Sequence, residues 1–161
     1  MKKKLSIEFE EFASLHELSP GDKSLCLESE KAMVSSYSPY SGFRVGVAVQ
    51  LRSGKIIHGS NQENVAYPSG LCAERVALFS IGSTYPDDTI MTMAITAQTD
   101  HFEIQEPVTS CGACLQVMAE YEKKQASPIE VLFYCTKGSI IRIKGIKSLL
   151  PFTFVETRLQ K

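Results

Sequence analysis

The sequence predicts an α/β domain, a mixed five-stranded sheet with helices packed on it. Three observations carry that reading. Val45, Val47, Val49 and Leu51 alternate with smaller residues such as Gly46 and Ala48, the period of a strand. A strand, a helix and a strand follow one another across residues 90–135, the order of a parallel crossover unit. Two segments, opening at Cys72 and Cys111, take up helical patterns directly after the turn signals Pro68-Ser69-Gly70 and Pro107-Val108-Thr109-Ser110.

Taken in order, residues 1–20 form a polar, acidic N-terminal extension ending at Ser19-Pro20-Gly21, and residues 21–161 form one domain. Leu25, Cys26, Ala32 and Met33 mark a helix from Asp22 to about Ser36, with Asp22 as its candidate cap. The strand Arg44–Leu51 turns at Ser53-Gly54 and returns as Lys55–Ser60, its antiparallel partner. Beyond it, Asn61 and Glu63 are two apart in extended chain and share a face. The helix opening at Cys72 is expected to stop at Gly82, where positive φ costs little. Ile90–Ala97 is a β-branched strand, Cys111 to about Lys124 a helix, and Ile129–Cys135 a strand joined by Lys137-Gly138 to a last strand, Ser139–Ile143.

The chain has 161 residues, the size of one domain with a real core. Its 17 Lys+Arg balance 18 Asp+Glu at a net charge of −1, which leaves no basic excess for nucleic-acid phosphates. No apolar run is long enough to span a membrane, and Met1-Lys2-Lys3-Lys4 leads into acidic residues instead of a signal-peptide core, so a cytoplasmic protein is expected. Five cysteines are an odd number and favour reduced thiols. Cys26 and Cys135, in a helix and a strand, read as buried inert thiols.

The other three cysteines carry the chemistry. Cys111 and Cys114 are three apart at a helix start, Cys72 lies 39 residues before Cys111, and Glu74 follows Cys72 by two. By itself a C-x-x-C could be a redox pair, half of a four-cysteine structural zinc site or two buried thiols. Three thiolates at helix N-termini suit one Zn²⁺, since free N–H groups and the positive helix end favour thiolate. A structural zinc is normally closed by four protein ligands, whereas a catalytic one keeps three and leaves a position to water, which it acidifies. Glu74, near the metal and unbound, would shuttle the proton. Arg75, at i+3 from Cys72, can donate to its sulfur and offset the charge of three thiolates. Residues two apart on a regular helix diverge, so Cys72 and Glu74 both reach the metal only if Cys72 sits in the irregular first turn.

The segments Tyr37–Gly46 (YSPYSGFRVG), Asn61–Asn64 (NQEN), Cys72–Arg75 (CAER), Cys111–Gln116 (CGACLQ) and Leu149–Phe154 (LLPFTF) resemble the small homotetrameric cytidine deaminases of nucleoside salvage, in the family's order over roughly residues 25 to 155. The resemblance implies a three-layer α/β/α fold, zinc as the one cofactor, and hydrolytic deamination of cytidine and 2′-deoxycytidine, with Glu74 as acid/base. It implies Asn61 and Glu63 on the ribose hydroxyls, Phe43 packed on the pyrimidine and backbone groups of Ala73 and Cys111 on the base. It also implies Phe154 lent to a neighbouring subunit and Gln116 supporting the metal site. Deaminases of nucleic acids have a helix between the fourth and fifth strands, and the turn at Lys137-Gly138 is too short for one. Two positions depart from the pattern: Ser110 stands where Pro is usual and could cap the helix, and Leu115 where Arg is usual, leaving Arg75 and the helix ends to stabilise the thiolates. Other readings are a deaminase of a related aminopyrimidine, such as a blasticidin-type antibiotic, and a non-catalytic zinc-stabilised interaction module.

Overall fold

The computed structural model describes residues 1–159. In chain order its elements are β1 (Glu10–Phe12), α1 (Pro20–Ala32), β2 (Phe43–Leu51), β3 (Ile56–Ser60), α2 (Ala73–Thr84), β4 (Ile90–Thr99), α3 (Gly112–Gln125), β5 (Glu130–Tyr134) and β6 (Ile140–Lys144). The strands form one mixed sheet in the order β1-β6-β5-β4-β2-β3. The β2–β3 hairpin is antiparallel, β4 and β5 run parallel on either side of α3 in sequence, and β5 meets β6 through the tight Cys135–Ser139 turn.

Alternation along the strands sorts the side chains into two cores. Ala48, Ala94 and Leu132, cross-strand partners, face α1 with Leu25 and Cys26. Val47, Ile95 and Phe133 project from the opposite face onto Ala77, Leu78 and Ile81 of α2 and Cys114 and Met118 of α3. The molecule is therefore three layers, α1 over the sheet over α2 and α3.

The expected five strands are six. Glu10–Phe12 adds an edge strand antiparallel to β6, with Glu11 opposite Ile141. Three residues have no periodicity to read, and tertiary contacts hold them. Arg142 of β6 bonds Glu10 at 3.3 Å, lies 4.8 Å over the Phe12 ring and pairs with Asp22 of α1.

Two helix boundaries also differ. The cap of α1 is Ser19, whose Oγ accepts from the Asp22 amide at 3.2 Å while Pro20 takes the first helical position; Asp22 lies inside the helix and accepts from the Ser19 hydroxyl. Gly82 does not end α2, which continues to Thr84. The position is glycine because a Cβ there would collide with the Tyr121 hydroxyl, which donates to the Leu78 carbonyl at 2.7 Å.

Candidate metal centre and substrate pocket

Cys72 is the N-cap of α2 and Cys111 the N-cap of α3, each in extended backbone (φ −67°, ψ 153° and φ −70°, ψ 161°). That conformation meets the requirement set by Cys72 and Glu74: the thiol leaves the chain before helical geometry begins, and Glu74 sits in the first turn. Helix α2 comes close to β3 because Gly59 has no side chain; a Cβ there would run into the Ala73 carbonyl.

The two helix ends bring three sulfurs together. Cys72 Sγ lies 3.9 Å from Cys111 Sγ, and Cys111 Sγ lies 3.6 Å from Cys114 Sγ. Sulfurs about 2.3 Å from a tetrahedral zinc are about 3.8 Å from one another. Among the described residues this trio is the only cluster of three or more metal-ligating side chains, all three sulfurs lying within 4.8 Å of one another. Donor type, number and spacing fit zinc, and among the described residues no fourth thiol joins the cluster.

The electrostatics agree. The Cys72 thiol is held at about 5, first by the Cys114 thiol donating to it and then by Arg75 and Cys111, against the opposing effect of burial. The same pairing and burial push Cys114 up. Arg75 Nη2 reaches Cys72 Sγ at 3.7 Å. Glu74 is 4 % exposed, and burial pushes its carboxyl up from the ordinary carboxylate range, with the neighbouring Cys72 charge adding to the effect. Ser110 does not cap α3; its hydroxyl is buried beside this carboxyl, and among the described residues it lacks a bonded partner. Leu115 is buried in the core at 8 % exposure, where an Arg side chain would not be accommodated as apolar packing.

Next to the metal trio a cavity of about 530 Å³ opens, lined by Tyr40, Asn61, Glu63, Tyr67, Cys72 and Arg75 among others. Both Asn61 and Glu63 face it, and both are already tied to its wall. Asn61 Oδ1 accepts from the Val45 amide at 2.8 Å and the Ser36 hydroxyl at 2.6 Å, while Nδ2 donates to the Phe43 carbonyl at 2.8 Å. Glu63 Oε2 accepts from the amides of Tyr40 at 2.9 Å and Ser41 at 3.3 Å, and Oε1 accepts from the Ser41 hydroxyl. These bonds hold the Glu63 carboxyl below its usual range, the Ser41 hydroxyl foremost. An amide has two donors and a carboxylate about four lone-pair sites, so each side chain keeps one free toward the cavity: an N–H on Asn61 and an acceptor on Glu63 Oε1.

The remaining positions fall elsewhere. Phe43 opens β2, half-buried, outside this cavity's wall. Ala73 is the wholly buried first residue of α2. The Gln116 amide is spent on backbone: Nε2 donates to the Phe154 carbonyl at 2.9 Å and Oε1 accepts from the Phe154 amide at 3.1 Å. Phe154 is thereby fixed with its side chain 72 % exposed. The cavity aromatics Tyr40 and Tyr67, edge-to-face at 5.9 Å, were not singled out from the sequence; their place beside Pro39 and Pro68, in turns that end at the site, was the available signal.

Residues 2–110 match the family model described as the cytidine and deoxycytidylate deaminase zinc-binding region. The match contains Cys72 and Glu74 and ends one residue before Cys111, so the second cysteine segment rests on the geometry above. The chain is 43 % identical over 132 residues to a protein named cytidine deaminase from Halalkalibacterium halodurans, covering 81 % of this chain and 91 % of the relative. It is 43 % identical over 97 residues to another so named from Sporosarcina psychrophila, covering 60 % and 67 %. Among solved structures, a cytidine deaminase from Burkholderia pseudomallei superposes with a TM-score of 0.70 at 32 % identity, over 85 % of this chain and all of the other. One from Mycobacterium leprae superposes with a TM-score of 0.62 at 26 % identity, over 83 % and 98 %.

Proposed function

Because the chain belongs to the cytidine and deoxycytidylate deaminase family, we propose that it hydrolyses cytidine and 2′-deoxycytidine to uridine and 2′-deoxyuridine plus ammonia. One observation carries the reading: three thiols within 4.8 Å of one another at two helix ends, with a buried carboxyl two residues after the first, lie beside a cavity of nucleoside size whose wall includes Cys72.

Cys72, Cys111 and Cys114 would hold the ion. When bound, zinc supplies a Lewis acid that makes water nucleophilic near neutral pH. Arg75 donates to Cys72 and the helix N-termini face the sulfurs, which keeps the thiolates anionic. Glu74, buried and raised in affinity for its proton, takes a proton from the attacking water, delivers it to N3 of the ring, and then carries the proton of the oxygen added at C4 to the amine, which departs as ammonia. The spare donor of Asn61 and spare acceptor of Glu63 complement the ribose hydroxyls, each of which both donates and accepts. Ala73 and Cys111 offer backbone groups to the base, and Phe43 packs on the pyrimidine once the pocket is complete. Gln116 acts by fixing Phe154, whose exposed ring is presented to a neighbouring subunit in a homotetramer. Residues 21–161 are the single catalytic domain and residues 1–20 an extension that supplies β1; positions 160 and 161 lie outside the described residues. All five cysteines carry free thiols, which suits a cytoplasmic enzyme. Among the described residues no helix is long and apolar enough to cross a membrane.

Loss of cytidine absorbance, measured with and without a zinc chelator, tests the reading. Chelator-sensitive turnover is expected. No turnover of cytidine beside turnover of another aminopyrimidine, blasticidin-type antibiotics included, would replace it.

A further inference from the structure

Ahead of the edge strand β1 the chain alternates: Leu5, Ile7 and Phe9 are separated by Ser6 and Glu8. All three apolar side chains are exposed, at 58 %, 48 % and 57 %. Residues 1–9 belong to no strand of the sheet, and a period-2 pattern puts the three on one face once the segment is extended, a face about half exposed here. The segment leads into β1, at the end of the sheet order, whose outer edge has no neighbour among the described residues. An unpaired edge of this kind is a template for another strand.

The charges say which strand. Lys2, Lys3 and Lys4 precede the apolar triplet and Glu8, Glu10 and Glu11 lie within and after it. Set antiparallel against an identical copy with Ile7 opposite Ile7, the segment from Lys3 to Glu11 complements itself, and Lys2 falls opposite Phe12. Leu5 meets Phe9, Lys4 meets Glu10, Lys3 meets Glu11 and Ser6 meets Glu8. Directly opposed residues in an antiparallel pair share a face, so the apolar contacts fall together and no like charges are opposed. In a parallel pairing in the same register, lysine would meet lysine and glutamate glutamate.

We propose that residues 2–12 form an intermolecular β-ladder with the same residues of a second copy of this chain, about a two-fold axis at Ile7. The second copy's residues 2–4 lie against β1, and two six-stranded sheets become continuous. The inference is independent of the proposed chemistry: it uses no residue of the pocket or metal trio.

Cysteine substitution along the strand tests the register. Residues opposed in an antiparallel ladder have Cα atoms about 4.5–5.5 Å apart, within the range of a disulfide. In the full-length protein, Ile7→Cys is expected to give a covalent dimer on mild oxidation, linked through position 7 by peptide mass. Leu5→Cys alone, with its copies roughly four residues out of register, should not, whereas Leu5→Cys mixed with Phe9→Cys should link the two variants. The unsubstituted protein controls for its own thiols. These positions are exposed and outside the core, so folding is not at stake. Absence of linkage in Ile7→Cys, or linkage of Leu5→Cys to itself as readily as Ile7→Cys, would overturn the proposal.

Discussion

Replacing Glu74 with Gln separates chemistry from assembly in one substitution. The side chain is 4 % exposed and the amide has its shape, so the fold should change in stability by no more than about 1 kcal/mol, the cost of a volume-conserving change. The three ligands are sulfur, so zinc content should stay at one ion per chain. Only proton transfer is lost. A positioned acid/base group contributes roughly 10²–10⁴-fold, about 2.7–5.4 kcal/mol of barrier at 1.36 kcal/mol per decade. The kcat for cytidine, followed by loss of ultraviolet absorbance, should fall within that range while KM changes little. Metal analysis and thermal melting on the same preparation complete the assay. A zinc-loaded, folded variant with kcat within tenfold of the parent would refute the role; a variant that has lost its zinc would show that Glu74 is a ligand.

Other perturbations report on separate parts of the account. Arg75→Ala removes the donor 3.7 Å from Cys72 Sγ and should weaken zinc binding about 10–100-fold in a chelator competition, with the fold retained. Gly82→Ala places a methyl against the Tyr121 hydroxyl and should lower stability by about 1–3 kcal/mol in denaturant unfolding, although alanine favours helix elsewhere. Burial, helped by the charges of Asp22 and Glu30, pushes the Cys26 thiol up to about 12 from 9.0. A raised thiol stabilises the folded chain fully below the unfolded value, and that stability is lost as pH rises from 9 toward 12. The fall in urea midpoint over that window should therefore be shallower in Cys26→Ala, and Cys26 should resist alkylation at pH 8 until the chain unfolds.

Which features could be read in advance follows from the range of the forces that set them. The alternation of Val45, Val47, Val49 and Leu51 is a local pattern, and β2 extends over it. Short turns at Ser53-Gly54 and Lys137-Gly138 leave neighbouring strands no option but antiparallel pairing, as observed. Glu10–Phe12 has no pattern of its own and is a strand because Arg142, some 130 residues on, clamps it; that is invisible in sequence order. Helix α2 runs past Gly82 to Thr84 for a related reason: Gly82 answers to Tyr121 on another helix, not to a cap. At the site, the cysteine trio was legible because a spacing of three and two helix starts fix it locally. The Gln116 amide, which pairs with the Phe154 backbone 38 residues away, was not. Nor does the sequence show that Asn61 and Glu63 brace the 36–45 segment.

The central claim concerns the number of protein donors at the metal. X-ray absorption at the zinc edge, on protein purified with its metal, counts them. The account predicts three sulfurs at about 2.3 Å and one lighter donor, unchanged in Glu74→Gln. Four sulfurs, or a lighter donor that disappears in Glu74→Gln, would contradict it.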